Sequence, residues 1–263
     1  MATTITGTTI DVGPNKLVAN SAGNVGVGTA SPETKLTIDS DISTTYSATG
    51  YAATLANSMM YLNNTNGGSN TASLINFRTG TGDGLVGFVA GSTNECDFVV
   101  ATDGGSNGIE RLRVSNAGIV TKPYQPAFSV YKSIAQDNIP TADDILITWG
   151  TEVYDVGSNF ASNTFTAPVT GKYFLNTGIR VDSMDAVHYY NFYIETSNRR
   201  YMNIHDYSRL TDDPSYWSFS MTALVDMDAG DEATVGIYQG SGATQTDIAT
   251  DASRSFFHGY LLG

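Results

Sequence analysis

KYFLNTGIRV, residues 172–181, and SFSMTALVDM, residues 218–227, place an apolar side chain at nearly every second position along their whole length. In the first, Tyr173, Leu175, Thr177, Ile179 and Val181 share a face; in the second, Phe219, Met221, Ala223, Val225 and Met227 do. A period of two belongs to a β-strand, and each stripe asks to be buried on one side. VHYYNFYIET, residues 187–196, is different. It sets Val187, Tyr189, Asn191 and Tyr193 on one side and Tyr190, Phe192 and Ile194 on the other, so both faces need cover, which a neighbouring subunit could provide. Further apolar runs centre on Phe128, Ile145, Tyr201, Val235 and Phe257, giving about eight strands after Pro126, enough for a two-sheet sandwich.

Before Pro126 the texture is thinner. LVANSAGNV (17–25) and LRVSNAGIV (112–120) both read as strand, tight turn, strand, with a glycine supplying positive φ. Between them, strand-sized pieces such as KLTID, LVGFVAG and CDFVVATDG are separated by glycine-rich polar stretches. So little apolar surface cannot offset the entropy of ordering this chain as a monomer, and three-fold association would supply the missing core. The sequence therefore divides into residues 1–40, residues 41–122 and a denser head, residues 123–263.

The 263 residues carry 26 acidic and 13 basic side chains, a formal charge of −13. Phosphate backbones need clustered Lys and Arg, so no nucleic-acid partner is expected. Charged residues make up only 15% of the chain while Gly (27) and Tyr (15) abound, a composition for strands and turns. Cys96 is the sole cysteine, which rules out an intramolecular disulfide and makes a buried thiol the default. The start MATTITGTTI lacks a basic, apolar leader and no run approaches a membrane span, so folding in a cytoplasm without membrane insertion is expected.

Five segments of the head, in order, resemble the complement-C1q/tumour-necrosis-factor superfamily. They are PAFSV (126–130), WGTEVYDVGSNF (149–160, Asp155 in the acid position), FTAPVTGKY (165–173), LVDMDAGDEATV (224–235) and SFFHGYLL (255–262). The resemblance implies a jelly-roll β-sandwich that works as a trimer. Phe160, Phe165, Tyr173 and Phe257 would be fold-defining aromatics, Pro168 and Gly171 a corner, Gly230 and Asp231 a turn, and Gly259 a close approach of backbones. Two departures stand out: the Phe160-to-Phe165 spacing is short, and Leu175 and Thr177 occupy aromatic positions.

GNVGVGTASPETKLTID (23–39) and ERLRVSNAG (110–118) resemble the shaft modules of tailed-phage fibres. Together the two resemblances imply an all-β virion structural protein, assembled in a host cytoplasm. Its N-terminal segment would meet other virion proteins, and its head a host cell-surface protein or saccharide. A capsid-decorating or head-fibre role is the alternative, and a carbohydrate depolymerase a third.

Chemistry is sparse. His188, His205 and His258 are scattered and form no metal-ligand spacing. No nucleophile elbow or phosphate-binding loop appears, so no enzymatic activity is expected. Acidic pairs at Asp143–Asp144, Asp182 with Asp185, and Asp212–Asp213 read as solvated loops, with calcium the ion such loops would take and paired glycosidase carboxylates the remaining option. The loop HDYSRLTDDPSYW (205–217) is the candidate receptor contact, through Asp206, Tyr207, Arg209, Tyr216 and Trp217. Its aromatics could equally fold back as core or trimer contacts.

Overall fold

The computed structural model describes residues 9–10, 17–29, 31–40, 60–66, 68–92, 95–104, 108–186 and 189–263, and all regular structure among them is strand. The chain divides into two compact units, residues 1–75 with 87–97 and residues 76–86 with 98–263. The start of the chain and positions 187–188, which include the expected strand residue Val187 and His188, lie outside the described residues.

Strands β1 (Thr9–Ile10), β2 (Leu17–Ala19), β3 (Val25–Val27) and β4 (Leu36–Ile38) form a sheet in chain order, with β3 and β4 parallel. The β2–β3 hairpin is the one read from LVANSAGNV. Gly23 sits at φ +74°, a conformation that costs other residues a steric clash. The Asn20 side-chain oxygen accepts the N–H groups of Ala22 and Asn24 at 3.1 and 3.0 Å. The second hairpin, β8 (Gly108–Val114) to β9 (Val120–Thr121), repeats the device: Gly118 lies at φ +78° and the Ser115 hydroxyl accepts the Ile119 N–H at 3.1 Å.

Strands β5 (Ala72–Thr79), β6 (Gly82–Ser92), β7 (Glu95–Asp103), β8 and β9 follow one another in a five-stranded sheet. Its apolar side chains are half-buried or exposed, with Phe77 59% and Phe88 51% exposed, and among the described residues of this sheet only Val99 is a buried hydrophobe. Ile75 and Phe77 share one face of β5 while Leu74 takes the other, so the sheet is apolar on both sides. Cys96, expected to be buried, is exposed on β7.

The head contains twelve strands. Its first sheet runs β12 (Thr151–Val156), β10 (Ala127–Tyr131), β21 (Phe256–Leu261), β15 (Gly171–Asp182), β18 (Tyr216–Met227), with β20 (Asp247–Ile248) beside β15. The second runs β13 (Phe160–Ala161), β14 (Thr164–Thr166), β19 (Glu232–Gln239), β16 (Tyr189–Thr196), β17 (Arg200–Asp206), with β11 (Asp144–Leu146) beside β19. The chain crosses repeatedly between these two sheets, and the last strand of the head, β21, pairs with its first, β10, which is jelly-roll connectivity. Each of the eight expected strands exists; β12, β13, β14 and β20 are additional, and β13, β14 and β20 have only two or three residues each, too few to leave a pattern in sequence.

Both stripes that opened the reading face the core. Tyr173, Leu175, Thr177, Ile179 and Val181 are fully buried, and Phe219 through Met227 alternate buried and exposed. Phe128 stacks on Phe165 (4.6 Å between ring centroids) and Phe160 (5.1 Å) and meets Phe257 edge-on (4.9 Å). A Cβ on Gly259 would stand 2.4 Å from the Phe128 ring and 2.7 Å from Leu175, so only glycine fits there. Gly230 turns at φ +95°, with the Asp231 carboxylate accepting the Asp228 N–H at 2.8 Å. Asp155 accepts the N–H groups of Asn159 (3.0 Å) and Phe160 (2.8 Å), holding the turn that starts β13. The short Phe160-to-Phe165 spacing is a hairpin: the two are cross-strand partners, and Ser162 and Asn163 make the turn at φ +51° and +68°.

The cover expected from a neighbour over β16 comes partly from the same chain. Tyr193 packs onto Gly236, where a Cβ would lie 2.2 Å from its ring, and the Arg200 guanidinium sits 4.0 Å above it. A lysine also lies inside. Lys132 is 1% exposed, and its ammonium donates to Thr148 O (3.0 Å), Gln136 Oε1 (3.1 Å) and Thr148 Oγ1 (3.3 Å). No carboxylate neutralises it at contact distance among the described residues, and burial pushes its pKa down to about 8.

Candidate functional site

The first sheet shows its second face to solvent, and strand register lays that face out in rows. One row joins Ala127, Tyr260, Phe174 and Leu224 across β10, β21, β15 and β18. It is apolar: the Phe174 and Tyr260 rings are 5.2 Å apart, and Leu224 is 66% exposed. The next row is polar and runs Tyr154, Ser129, His258, Asn176, Thr222. Within it the Ser129 hydroxyl and His258 Nδ1 are 2.8 Å apart, and the Thr222 hydroxyl donates to Asn176 Oδ1 at 3.0 Å. His258 stacks on Phe256 at 4.5 Å, and burial lowers its pKa. Among the described residues no carboxylate completes this serine–histidine pair, so it is a rung of a strand ladder and not a nucleophile with its base.

Farther along the same face stand Arg180, opposite Ser218, and Asp182, opposite Tyr216. Arg180, Ser218 and Tyr216, together with Arg254 and Trp217, border a recess of about 480 Å³. Arg180 lies 4.8 Å over the Tyr216 ring, its Nε is 2.8 Å from one Asp182 oxygen, and its Nη2 donates to the other at 3.1 Å. Asp251 anchors the loop before β21: one oxygen accepts the Ser253 hydroxyl (2.6 Å) and N–H (3.0 Å), and the other receives Arg254 and, at 3.5 Å, Arg180. The Ser253 hydroxyl leads in lowering the Asp251 pKa to about 2.

The expected contact loop therefore splits. Tyr207 folds inward, 4.9 Å from Trp217, 6.1 Å from Tyr190 and packed against the core. Asp206 accepts the Ser208 N–H at 2.9 Å, and Arg209 is exposed away from the recess lining. Tyr216, 66% exposed, and Trp217 do line it. Arg180, Ser218 and Arg254 were not singled out in sequence; Arg180 and Arg254 are far apart in the chain and meet because β15 pairs with β21. The only local signal was the phase of β18: counting back by twos from buried Phe219 puts Trp217 on the core side and Tyr216 on the outer one.

The acidic pairs do not assemble. Asp144 accepts Arg200 at 3.1 Å, Asp185 is buried and receives the Ala243 N–H, and Asp212 accepts the Thr211 hydroxyl. Asp213 accepts the Ala186 N–H (2.9 Å), which leads in lowering its pKa, and Gln245 Nε2 (2.9 Å). Among the described residues no three His, Cys, Asp or Glu side chains are grouped to hold a metal ion. A second recess, about 530 Å³, lies where residues 122–126 enter the head and is mostly apolar.

No protein-family model and no curated protein matches this chain. Among solved structures, it is similar to the globular domain of zebrafish complement 1qA protein at 16% identity, covering 53% of this chain and 98% of that one with a TM-score of 0.40. It is also similar to murine APRIL at pH 8.5, at 14% identity over 52% of this chain and 99% of that one, TM-score 0.39. The jelly-roll assignment itself rests on the strand order and register given above.

Proposed function

We propose that the chain is a non-enzymatic virion structural protein, a trimeric tailed-phage fibre whose head recognises the host surface. The observation that carries this reading is the apolar row Tyr260, Phe174, Leu224 on the outer face of a sheet whose inner face already fills the core. Exposed rows of this kind mark association surfaces. The five-stranded sheet β5–β9, apolar on both faces, adds a second surface in need of partners. The GNVGVGTASPETKLTID segment supplies the phage resemblance, and the N-terminal region would join other virion proteins. Three heads per fibre make weak individual contacts sufficient through multivalency.

Multi-angle light scattering of the purified chain is expected to return three times its 28.0 kDa mass; a monomeric mass would overturn the reading. Antibody labelling of intact particles separates tail fibre from the capsid-decorating alternative. The depolymerase alternative loses its carboxylate pair, since Asp212 and Asp213 are each engaged within their own loop surroundings.

A further inference from the structure

We infer that the recess bordered by Arg180, Tyr216, Trp217, Ser218 and Arg254 binds an uncharged sugar ring bearing adjacent hydroxyl groups. The inference rests on the reading of the head as a recognition module and names its ligand class.

The recess offers two kinds of surface that a saccharide has and most other ligands lack together. Tyr216, 66% exposed, offers its ring at the edge of the recess with the Arg180 guanidinium 4.8 Å over it, and a sugar ring has apolar C–H faces that lie flat on such a ring. Beside it is a planar polar network with donors and acceptors in pairs. Arg254 spends Nη1 on Asp251 and keeps Nε and Nη2, one edge of its fork, without a partner among the described residues; its side chain is 56% exposed. A two-donor edge accepts two neighbouring oxygens at once, the spacing of vicinal hydroxyls as well as of a carboxylate.

Charge decides between those two. The two guanidinium groups of the lining are each ion-paired, Arg180 with Asp182 and Arg254 with Asp251, so the charges of this cluster balance. It belongs to a chain of formal charge −13, whose field opposes approach by an anion. A neutral polyol meets no such opposition.

The site is also held before any ligand arrives. Asp251 is fixed by Ser253 and grips both arginines, while the Ser255 hydroxyl accepts the Arg180 N–H at 3.0 Å. Rigid placement of the polar groups removes an ordering cost that a weak ligand could not offset. Its position leaves it clear of the apolar row: Arg180 is six residues along β15 from Phe174, roughly 20 Å at ~3.3 Å per residue.

The test is a glycan array probed with the full-length protein, carrying neutral oligosaccharides of glucose, galactose, mannose and N-acetylglucosamine beside acidic ones containing glucuronate or sialate. Saturation-transfer NMR with the corresponding methyl glycosides reports which ring protons touch the protein. Neutral glycans should be retained, with signal falling at least tenfold in Tyr216→Ala and in Arg254→Ala, two exposed positions where folding is not at stake. Ile204→Ser, exposed on the second sheet, serves as the unchanged control. Retention of acidic glycans alone, no retention at all, or retention indifferent to both variants would each overturn the inference. A monomeric mass in light scattering would instead strike the fibre reading and leave the array result standing, so the two failures are told apart.

Discussion

The head and the five-stranded sheet before it are both antiparallel β structure, yet they solve the burial problem in opposite ways. The head folds two sheets onto each other and fills the gap with Phe128, Phe165, Tyr173, Phe192, Phe219 and Phe257, all at or near zero exposure. The sheet β5–β9 has strands of comparable length, and Phe77 and Phe88 remain in water. Strand propensity is therefore not what separates them. The head carries both layers within its own chain; among the described residues the other region is a single sheet, whose exposed rings an association would bury.

The comparison breaks most visibly if a head core residue behaves like a sheet residue. Phe257→Ala removes a ring packed edge-on to Phe128 and should cost the head about 3–5 kcal/mol, read from urea unfolding followed by tryptophan fluorescence. A loss below about 1 kcal/mol would show that the aromatic cluster is not the source of the head's stability.

The next effect is a pH dependence that only an autonomous core can generate. Lys132 has its pKa lowered by burial to about 8 against 10.5 for the exposed group. Below pH 8 both folded and unfolded chains hold the proton; between 8 and 10.5 the folded chain releases it first. The unfolded state then binds more protons, so stability rises with pH through that window. From pH 8 to 10 the gain is about 2–3 kcal/mol at 1.36 kcal/mol per unit. Above pH 10 the trend reverses, because burial raises the phenol pKa values of Tyr173, Tyr190 and Tyr193, and the unfolded chain ionises these first. Chemical denaturation at stepped pH should show the rise in the wild type and its absence in Lys132→Met.

How far the sequence disclosed these two regions follows from the range of the signal. The stripes at 172–181 and 218–227 were legible because period-two alternation is local and one face is dry. The hairpins at Gly23 and Gly118 were legible because positive φ selects glycine. Strands β13 and β20, two residues each, leave no period to detect. The recess was half legible. Tyr216 and Trp217 declared themselves as loop aromatics, but Arg180 and Arg254 acquire their relation only through pairing between distant strands. Tyr207, chosen on the same grounds as Tyr216, went to the core because composition of a loop does not say which way its rings turn. Lys132 gave no sign at all, since a lysine in sequence reads as surface.

A smaller effect tests the turn chemistry on which the head resemblance partly rested. Asp155→Ala removes the acceptor for two backbone N–H groups at the start of β13 and should destabilise the head by about 1–2 kcal/mol, with Asp155→Asn recovering part of it. Thermal melts of the three proteins give the comparison directly.

The smallest effect on a single chain is the most telling about the sheet. Phe88 is half in solvent and lies outside the head, so replacing it with serine leaves the head core intact, and surface changes of this kind stay within about 0.5 kcal/mol. If a neighbouring copy covers it in solution, the same change strips an aromatic from an association surface, where truncation of a buried ring costs about 2 kcal/mol or more. Head unfolding in Phe88→Ser should therefore match the wild type, while light scattering at falling concentration finds dissociation at least tenfold earlier. Equal dissociation in the two proteins would mean that this sheet does not join the copies, and that association rests on the row of Phe174, Tyr260 and Leu224 alone.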